Sequence, residues 1–303
     1  MKHLPIVLLI LLAGCGGSDQ APDSIHFAFQ PPDSMEFEGR ILSERIRSFQ
    51  GTTAVDTTRV FNHHTISRVG SGFEFSTVTD STRMSRDGVS LGDPFAGLFD
   101  RITVVHVIDS VGIATEVRGY DSLYQMIDEQ FDPEMAAGLH EVISPQMLAA
   151  GELDEWNSSV GELAGVELTP GVPVLSSEDL SLPSGLNLTL FQAKELIDTA
   201  SIDSVPCARV RIIVHSNPGD LAEMLGQTKE SIYEHYQLSD STVEAINLSP
   251  ITSQTYTELV VEISTLLVRS HQSSREMEMA VMTPEGVPSM GNLVETQHKL
   301  FMY

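Results

Sequence analysis

The stretch RITVVHVIDSVGIATEVRG, Arg101 to Gly119, most limits what this chain can fold into. Two runs of alternating β-branched residues flank Asp109-Ser110-Val111-Gly112, with a glycine where a tight turn needs positive φ. Strands joined that closely are antiparallel. The same signature recurs along the chain. SMEFEGRILSERIRSF (34–49), TTRVFNHHTISRV (57–69) and FEFSTVTDSTRMS (73–85) are rich in β-branched and aromatic residues and punctuated by glycine turns, Gly70-Ser71-Gly72 among them.

After a central interruption the strand pattern returns. LNLTLFQAKEL (186–196) and CARVRIIVHS (207–216) read as neighbours, with Ala208, Val210, Ile212 and Val214 on one face and Arg209, Arg211 and His215 on the other. TYTELVVEISTLLVRS (255–270) places Leu259, Val261, Ile263 and Leu267 on one side, and in REMEMAVMTPEG (275–286) methionines alternate with acids.

The interruption is helical. In YDSLYQMIDEQF, Leu123, Met126, Ile127 and Phe131 share a helical face, with Asp121 or Ser122 available as cap. Asp132-Pro133 and Ser144-Pro145 are cap-plus-first-turn signals for two more helices. Met135, Leu139, Val142 and Ile143 form the second stripe, and Met147 and Leu148 open the third. Trp156, the single tryptophan, closes the segment and is expected to pack these helices onto the sheet. Strands, helices, then strands predict an α+β fold: a large antiparallel, curved, half-barrel-like sheet packed against several short helices.

The N-terminus orders a basic start, Met1-Lys2-His3, an apolar run, Leu4 to Leu12, and small residues, Ala13-Gly14, before Cys15. That is the layout of a secretory signal, and the apolar run is well short of the roughly 20 residues a membrane-spanning helix needs. Leu12-Ala13-Gly14-Cys15 resembles the lipobox of bacterial lipoproteins. The resemblance implies cleavage before Cys15, acylation of its sulfur and amine, and attachment to the bilayer through those acyl chains. An uncleaved apolar N-terminus, or an ordinary signal with a chance cysteine, is the alternative. The expected organisation is a signal peptide at 1–14, a lipidated tether at 15–34 rich in glycine, proline and aspartate, and one α+β domain at 35–303. In enterobacterial lipoproteins, which this motif resembles, an aspartate after the cysteine favours the inner membrane; the resemblance with Gly16 in that place implies a lean toward the outer membrane, and the expected location is the cell envelope, facing the periplasm or the surface. The DSVG hairpin, the GYDSL step, Trp156, Leu182-Pro183 and CARVRIIV also resemble an uncharacterised family of exported bacterial lipoproteins, which brings no function with it. Half-open barrels of periplasmic lipid and lipoprotein carriers are similar in architecture alone.

Charge and cysteine content exclude several classes. The formal net charge is −25, which argues against nucleic acid and against docking on anionic headgroups. With Cys15 acylated only Cys207 remains, so no intramolecular disulfide forms, and Cys207 on a strand is expected to pack in the interior. Adjacent His63 and His64 on a strand face opposite ways and cannot share one metal ion; a solvated pair is expected. His106 shares its face with Ile102, Val104 and Ile108, where a satisfied or edge histidine is expected. There is no HExxH, CxxC, GxSxG, Walker or dinucleotide loop, and no calcium loop. Asp220 to Ser239 resembles a helix-turn-helix unit, but Lys229 stands alone between acids, and a helical lid accounts for the same residues.

The residues therefore support no catalytic group, no metal and no cofactor. The expected function is a membrane-anchored, non-enzymatic binding module holding a lipid or other amphiphile; the alternative is an assembly-accessory envelope lipoprotein that binds protein partners. Site residues are Cys15 for lipid attachment and Leu12, Ala13 and Gly14 for signal cleavage.

Overall fold

The computed structural model describes residues 24–49, 52–91, 100, 102–181, 187–223, 226, 252–282 and 288–303. The first wing of the main sheet comprises β2 (Ser34–Phe49), β3 (Thr52–Val69), β4 (Gly72–Arg86), the short β5 (Val89–Leu91), β6 (Thr103–Ile108) and β7 (Ala114–Arg118). The second comprises β9 (Val174–Ser181), β10 (Asn187–Ile202), β11 (Val205–Ser216), β12 (Thr252–Glu262), β13 (Val268–Met282) and β14 (Pro288–Met302). A separate small pair joins β1 (Ile25–His26) to β8 (Glu167–Leu168).

The order across the main sheet is β7-β6-β4-β3-β2-β14-β13-β12-β11-β10-β9, with β5 beside β4, and every pairing is antiparallel. Within each wing the strands lie across the sheet in chain order, β5 aside, and the first long strand meets the last at the centre, β2 against β14. Register shifts at Phe61/Asn62, Leu196/Asp198 and Val260/Val261 bend the strands. The result is a large curved sheet left open between β7 and β9, with a few short helices.

The hairpin of β6 and β7, Thr103 to Arg118, forms as its sequence predicts. One carboxylate oxygen of Asp109 accepts from the backbone N–H of Val111, Gly112 and Ile113, each at 2.9 Å, and Gly112 sits at φ 104. A side-chain carbon on Gly112 would also strike Phe29, so the turn needs glycine twice over. TYTELVVEISTLLVRS departs from its expected single strand. It ends as β12 at Glu262, turns with Leu266 in the left-handed region (φ 59), and restarts as β13 at Val268. Leu259, Val261 and Leu267 are still all buried, because the turn folds back onto the same core.

Three helices follow β7: α1 (Leu123–Gln130), α2 (Pro133–Val142) and α3 (Pro145–Trp156); α1 and α2 pack beside Ile102, Val104 and Val117 of the first wing, and α3 reaches the second through Glu155 and Lys299. Asp132 accepts from the N–H of Glu134 and Met135, and Ser144 accepts from Met147, so both expected caps form. The expected Asp121 or Ser122 cap does not: a short 3₁₀ turn, Tyr120–Ser122, leads into α1 with no side-chain cap bond. Beyond Trp156 a single π turn, Asn157–Gly161, continues α3 across the hollow of the sheet. Asn157 locks it by accepting from Ala114 N–H (2.9 Å) and donating to Ala114 C=O (3.0 Å), replacing a strand neighbour at the open edge.

The core lies on the concave side, where Phe37, Ile66, Phe73, Leu196, Val210, Ile212 and Leu259 meet Val160 and Leu163 of the helical lid. The stretch read from sequence as tether is part of this core from Ile25 onward: Phe27 is fully buried and Phe29 nearly so. Its brief apolar cluster, Ile25 to Phe29, is enough to thread beneath the lid, since burying one phenylalanine contributes about 1.5–3 kcal/mol. A second cluster seats Leu123, Ile127 and Ala136 against Ile102 and Tyr120. The region likened to helix-turn-helix opens as helix, at 218–223; the rest of it, residue 226 aside, lies outside the described residues.

Candidate functional site

Strand register turns the concave face into rows of side chains from five adjacent strands. In the first row Phe37, His64 and Thr77 lie side by side on β2, β3 and β4. Two residues further along each strand come Phe301, Gly39, Asn62 and Thr79, then His271, Lys299, Ile41, Val60 and Thr82. The lid spans these rows without filling the space beneath it. It leaves a cavity of about 460 Å³ whose walls include Phe29, Phe75, Ile102, Val104, Tyr120, Glu152 and Trp156.

Trp156 anchors the roof. Its indole N–H donates to Gly112 C=O (3.0 Å), and its ring packs against Phe29, Phe75 and His106. Two lysines from the sheet hold the lid from below: Lys194 pairs with Glu162 and donates to its carbonyl (3.0 Å), and Lys299 pairs with Glu155.

Against the apolar walls stands a small set of buried polar groups. His64 is only 4% exposed, stacked on Phe37 and Phe75, with Nδ1 2.9 Å from Thr77 Oγ1. Gly39 makes room for its ring, since a side-chain carbon there would overlap the imidazole. Burial, helped by the charges of Lys299, His63 and His106, pulls the His64 pKa down to about 3. Burial likewise brings His271 down to about 4 and Lys299 down to about 8. His106 Nε2 lies 3.4 Å from one Glu152 oxygen, and the Tyr120 hydroxyl donates to the other at 3.4 Å. Burial works to raise the Glu152 carboxyl, but the His106 hydrogen bond and charge, Lys299 and Tyr120 outweigh it and hold its pKa below the ordinary value. Asn62 Oδ1, His64 Nε2 and His106 Nδ1 are buried with no hydrogen-bond partner among the described residues. Each such atom costs roughly 1–3 kcal/mol, and three of them border one cavity.

The histidine pair thus splits as alternation requires, but it is not the solvated pair the sequence led us to expect: His63 stays half exposed near Glu36, while His64 is interior. His106 is a buried, satisfied histidine on its Glu152 side. Among the described residues no three His, Cys, Asp or Glu side chains are grouped to hold a metal ion. Cys207 is buried and free, and burial raises its thiol pKa, as packing would have it. Leu12, Ala13, Gly14 and Cys15 lie outside the described residues, and no described helix is long and apolar enough to cross a membrane.

Period-two alternation on β3 was the one signal that could have set Asn62 and His64 beside Val60 and Ile66 on an inward face. Lys299, Glu152 and Tyr120 gave no local signal, because their meeting depends on the β2–β14 seam and on the lid.

No family model matches the chain, and no curated protein does. Among solved structures it superposes on lipovitellin, described there for its lipid–protein interactions, with a TM-score of 0.45 and 8% identity over 90% of this chain. The chain spans 25% of the lipovitellin chain. A Bacteroides fragilis protein with a YMCC-like fold, named as exported, gives a TM-score of 0.22 at 8% identity, covering 89% of this chain and 97% of that one. A DUF1329 family protein from Desulfovibrio piger gives 0.16 at 9% identity, covering 85% and 83%. At these scores the likenesses carry no functional inference. The chain's own geometry defines its class: an open, curved antiparallel sheet roofed by a short helical lid over an apolar cavity.

Proposed function

We propose that this protein is an exported, acyl-anchored binding module, not an enzyme, whose cavity takes up the apolar part of an amphiphile. The observation that carries the reading is the space under the lid. It lies within the usual range of small-molecule sites, is walled mainly by aromatic and aliphatic side chains, and offers three polar atoms, unpartnered among the described residues, that can fix orientation. The anchor on Cys15 is a separate part of the proposal, supported by the lipobox resemblance.

Trp156 provides the test, since it is the only tryptophan and lies in the cavity wall. A monoacylglycerol with a brominated chain should quench its fluorescence saturably, and Val60→Phe or Thr79→Phe, which fill the space, should abolish the quench. Quenching that never saturates, together with purified protein free of lipid in native mass spectra, defeats the reading. Palmitate incorporation that persists in Cys15→Ser refutes the anchor.

One observation favours the second reading, a protein partner. Among the described residues β9 is an edge strand, and it carries exposed apolar residues, Leu175 (75%), Val174 (40%) and Leu180 (38%), where another chain could add a strand. A stoichiometric crosslinked partner lost on Leu175→Lys would support it.

A further inference from the structure

Beyond the lid the concave face continues into a second hollow, and its chemistry is unlike the rest of this acidic chain. Register aligns Arg275, Glu295, Arg45, Asp56 and Arg86 in one row across β13, β14, β2, β3 and β4. Arg47, one inward position further along β2, joins them. Asp56 is shared by Arg47 and Arg86 (Arg86 Nε at 2.6 Å), and Glu295 pairs with Arg45. Four guanidinium groups thus face two carboxylates, and Arg275 makes no ion pair among the described residues. Glu44 borders the same hollow, but strand alternation gives its side chain to the outer face. A chain with formal net charge −25 and only 17 basic residues has gathered a net positive cluster inside its own concave surface.

The position matters as much as the sign. The arginine hollow and the apolar cavity share Gln297 and occupy successive stretches of the same strands. From Ile41 at the cavity to Arg45 is four residues, or about 13 Å along a strand. One acyl chain reaches about 15 Å, half of a bilayer's hydrocarbon core. The intervening row, Ser273, Gln297, Ser43 and Thr58, is uncharged.

We infer that the arginine row binds the anionic headgroup of the amphiphile whose chain occupies the cavity, so that the ligand class is an acidic, phosphate- or carboxylate-bearing lipid. The inference rests on the cavity reading above. Guanidinium groups in this arrangement offer paired N–H donors to such a headgroup, and the carboxylates between them keep the row ordered in its absence.

The test uses the full chain purified in amphipol, with Trp156 quenching as the readout. Its probes are a brominated-chain lysophosphatidic acid and the monoacylglycerol bearing the same chain. The acidic probe is expected to bind about tenfold more tightly, with an advantage that shrinks as salt rises. Arg86→Gln combined with Arg275→Gln should remove that advantage and leave monoacylglycerol binding and the melting temperature unchanged. Asp56→Asn, which frees two arginines, should increase the advantage. Equal affinity for both probes, or arginine variants that bind like the parent, overturns the inference while the cavity reading stands. Saturable quenching by neither probe overturns both. Inorganic phosphate competing at the same concentration as the lysophosphatidic acid assigns the row to free phosphate and overturns the lipid assignment.

Discussion

Replacing Gly39 by alanine is a sharp test of how the cavity wall is built. Gly39 sits mid-strand outside the left-handed region, so alanine meets no backbone penalty. Strand preference alone predicts stabilisation of about 0.5–1 kcal/mol, because glycine loses more chain entropy on folding. Packing predicts the opposite. The added carbon would stand 2.9 Å from His64 Cδ2 and nearer still to Nε2, and the ring cannot swing aside. It is held by stacking on Phe37 and Phe75 and by the Thr77 hydrogen bond. Overpacking of this kind costs about 1–3 kcal/mol and losing the hydrogen bond about 1 more, so after the strand gain of about 0.5–1 kcal/mol Gly39→Ala should still destabilise by about 1–3.5 kcal/mol. Urea unfolding at pH 8 measures this, with an unchanged m value to show that the ends of the transition are the same. The double variant Gly39→Ala/His64→Ala supplies the control, because the new methyl group then enters space the ring has left. The alanine at position 39 should cost at least about 1.5 kcal/mol less in that background. Stabilisation by Gly39→Ala, or equal costs in both backgrounds within about 0.5 kcal/mol, would refute the reasoning.

Other outcomes follow from the same structure. His64 and His271 have folded pKa values of about 3 and 4 against 6.5, so their neutral forms stabilise the fold above pH 6.5 and that stability is lost as pH falls toward 4 and 3. Together they should lower stability by about 4 kcal/mol between pH 8 and pH 5, and His64→Gln should flatten the denaturation profile by about half of that. Phe27→Ala should cost about 3–5 kcal/mol in the same urea assay, because the side chain is fully buried; a cost under about 1 kcal/mol would return Phe27 to a tether. Asn157→Ala breaks both bonds to Ala114, and hydrogen exchange of the Ala114 amide should accelerate by at least about tenfold. Asp203 and Ser204 form the β10–β11 turn with φ 49 and 69, so Asn-Gly there should raise the melting temperature.

Elements governed by neighbouring residues were legible in the sequence. The Asp109 turn, the Asp132 and Ser144 caps, the β10–β11 pairing and the inward set Ala208, Val210, Ile212 and Val214 all depend on contacts within a few residues or on strand alternation. The α1 cap failed because a 3₁₀ turn displaced Ser122 from the extended conformation a capping side chain needs. The tether boundary failed because Phe27 and Phe29 bury against Leu163, Leu168 and Trp156, far along the chain. The site failed in the same way: Lys299 meets Ile41, and Glu152 meets His106, only after the wings join and the lid closes.

The entry of the chain into the fold has a mechanical consequence. Ile25 pairs with Leu168, Phe27 exchanges backbone hydrogen bonds with Val166 and Gly165, and Phe29 packs edge-on to Trp156. Tension applied at the amino end therefore loads the roof before it loads the main sheet. Any pull strong enough to peel away those five residues withdraws Phe29 from beside Trp156 and unlatches the roof while the long strands remain zipped.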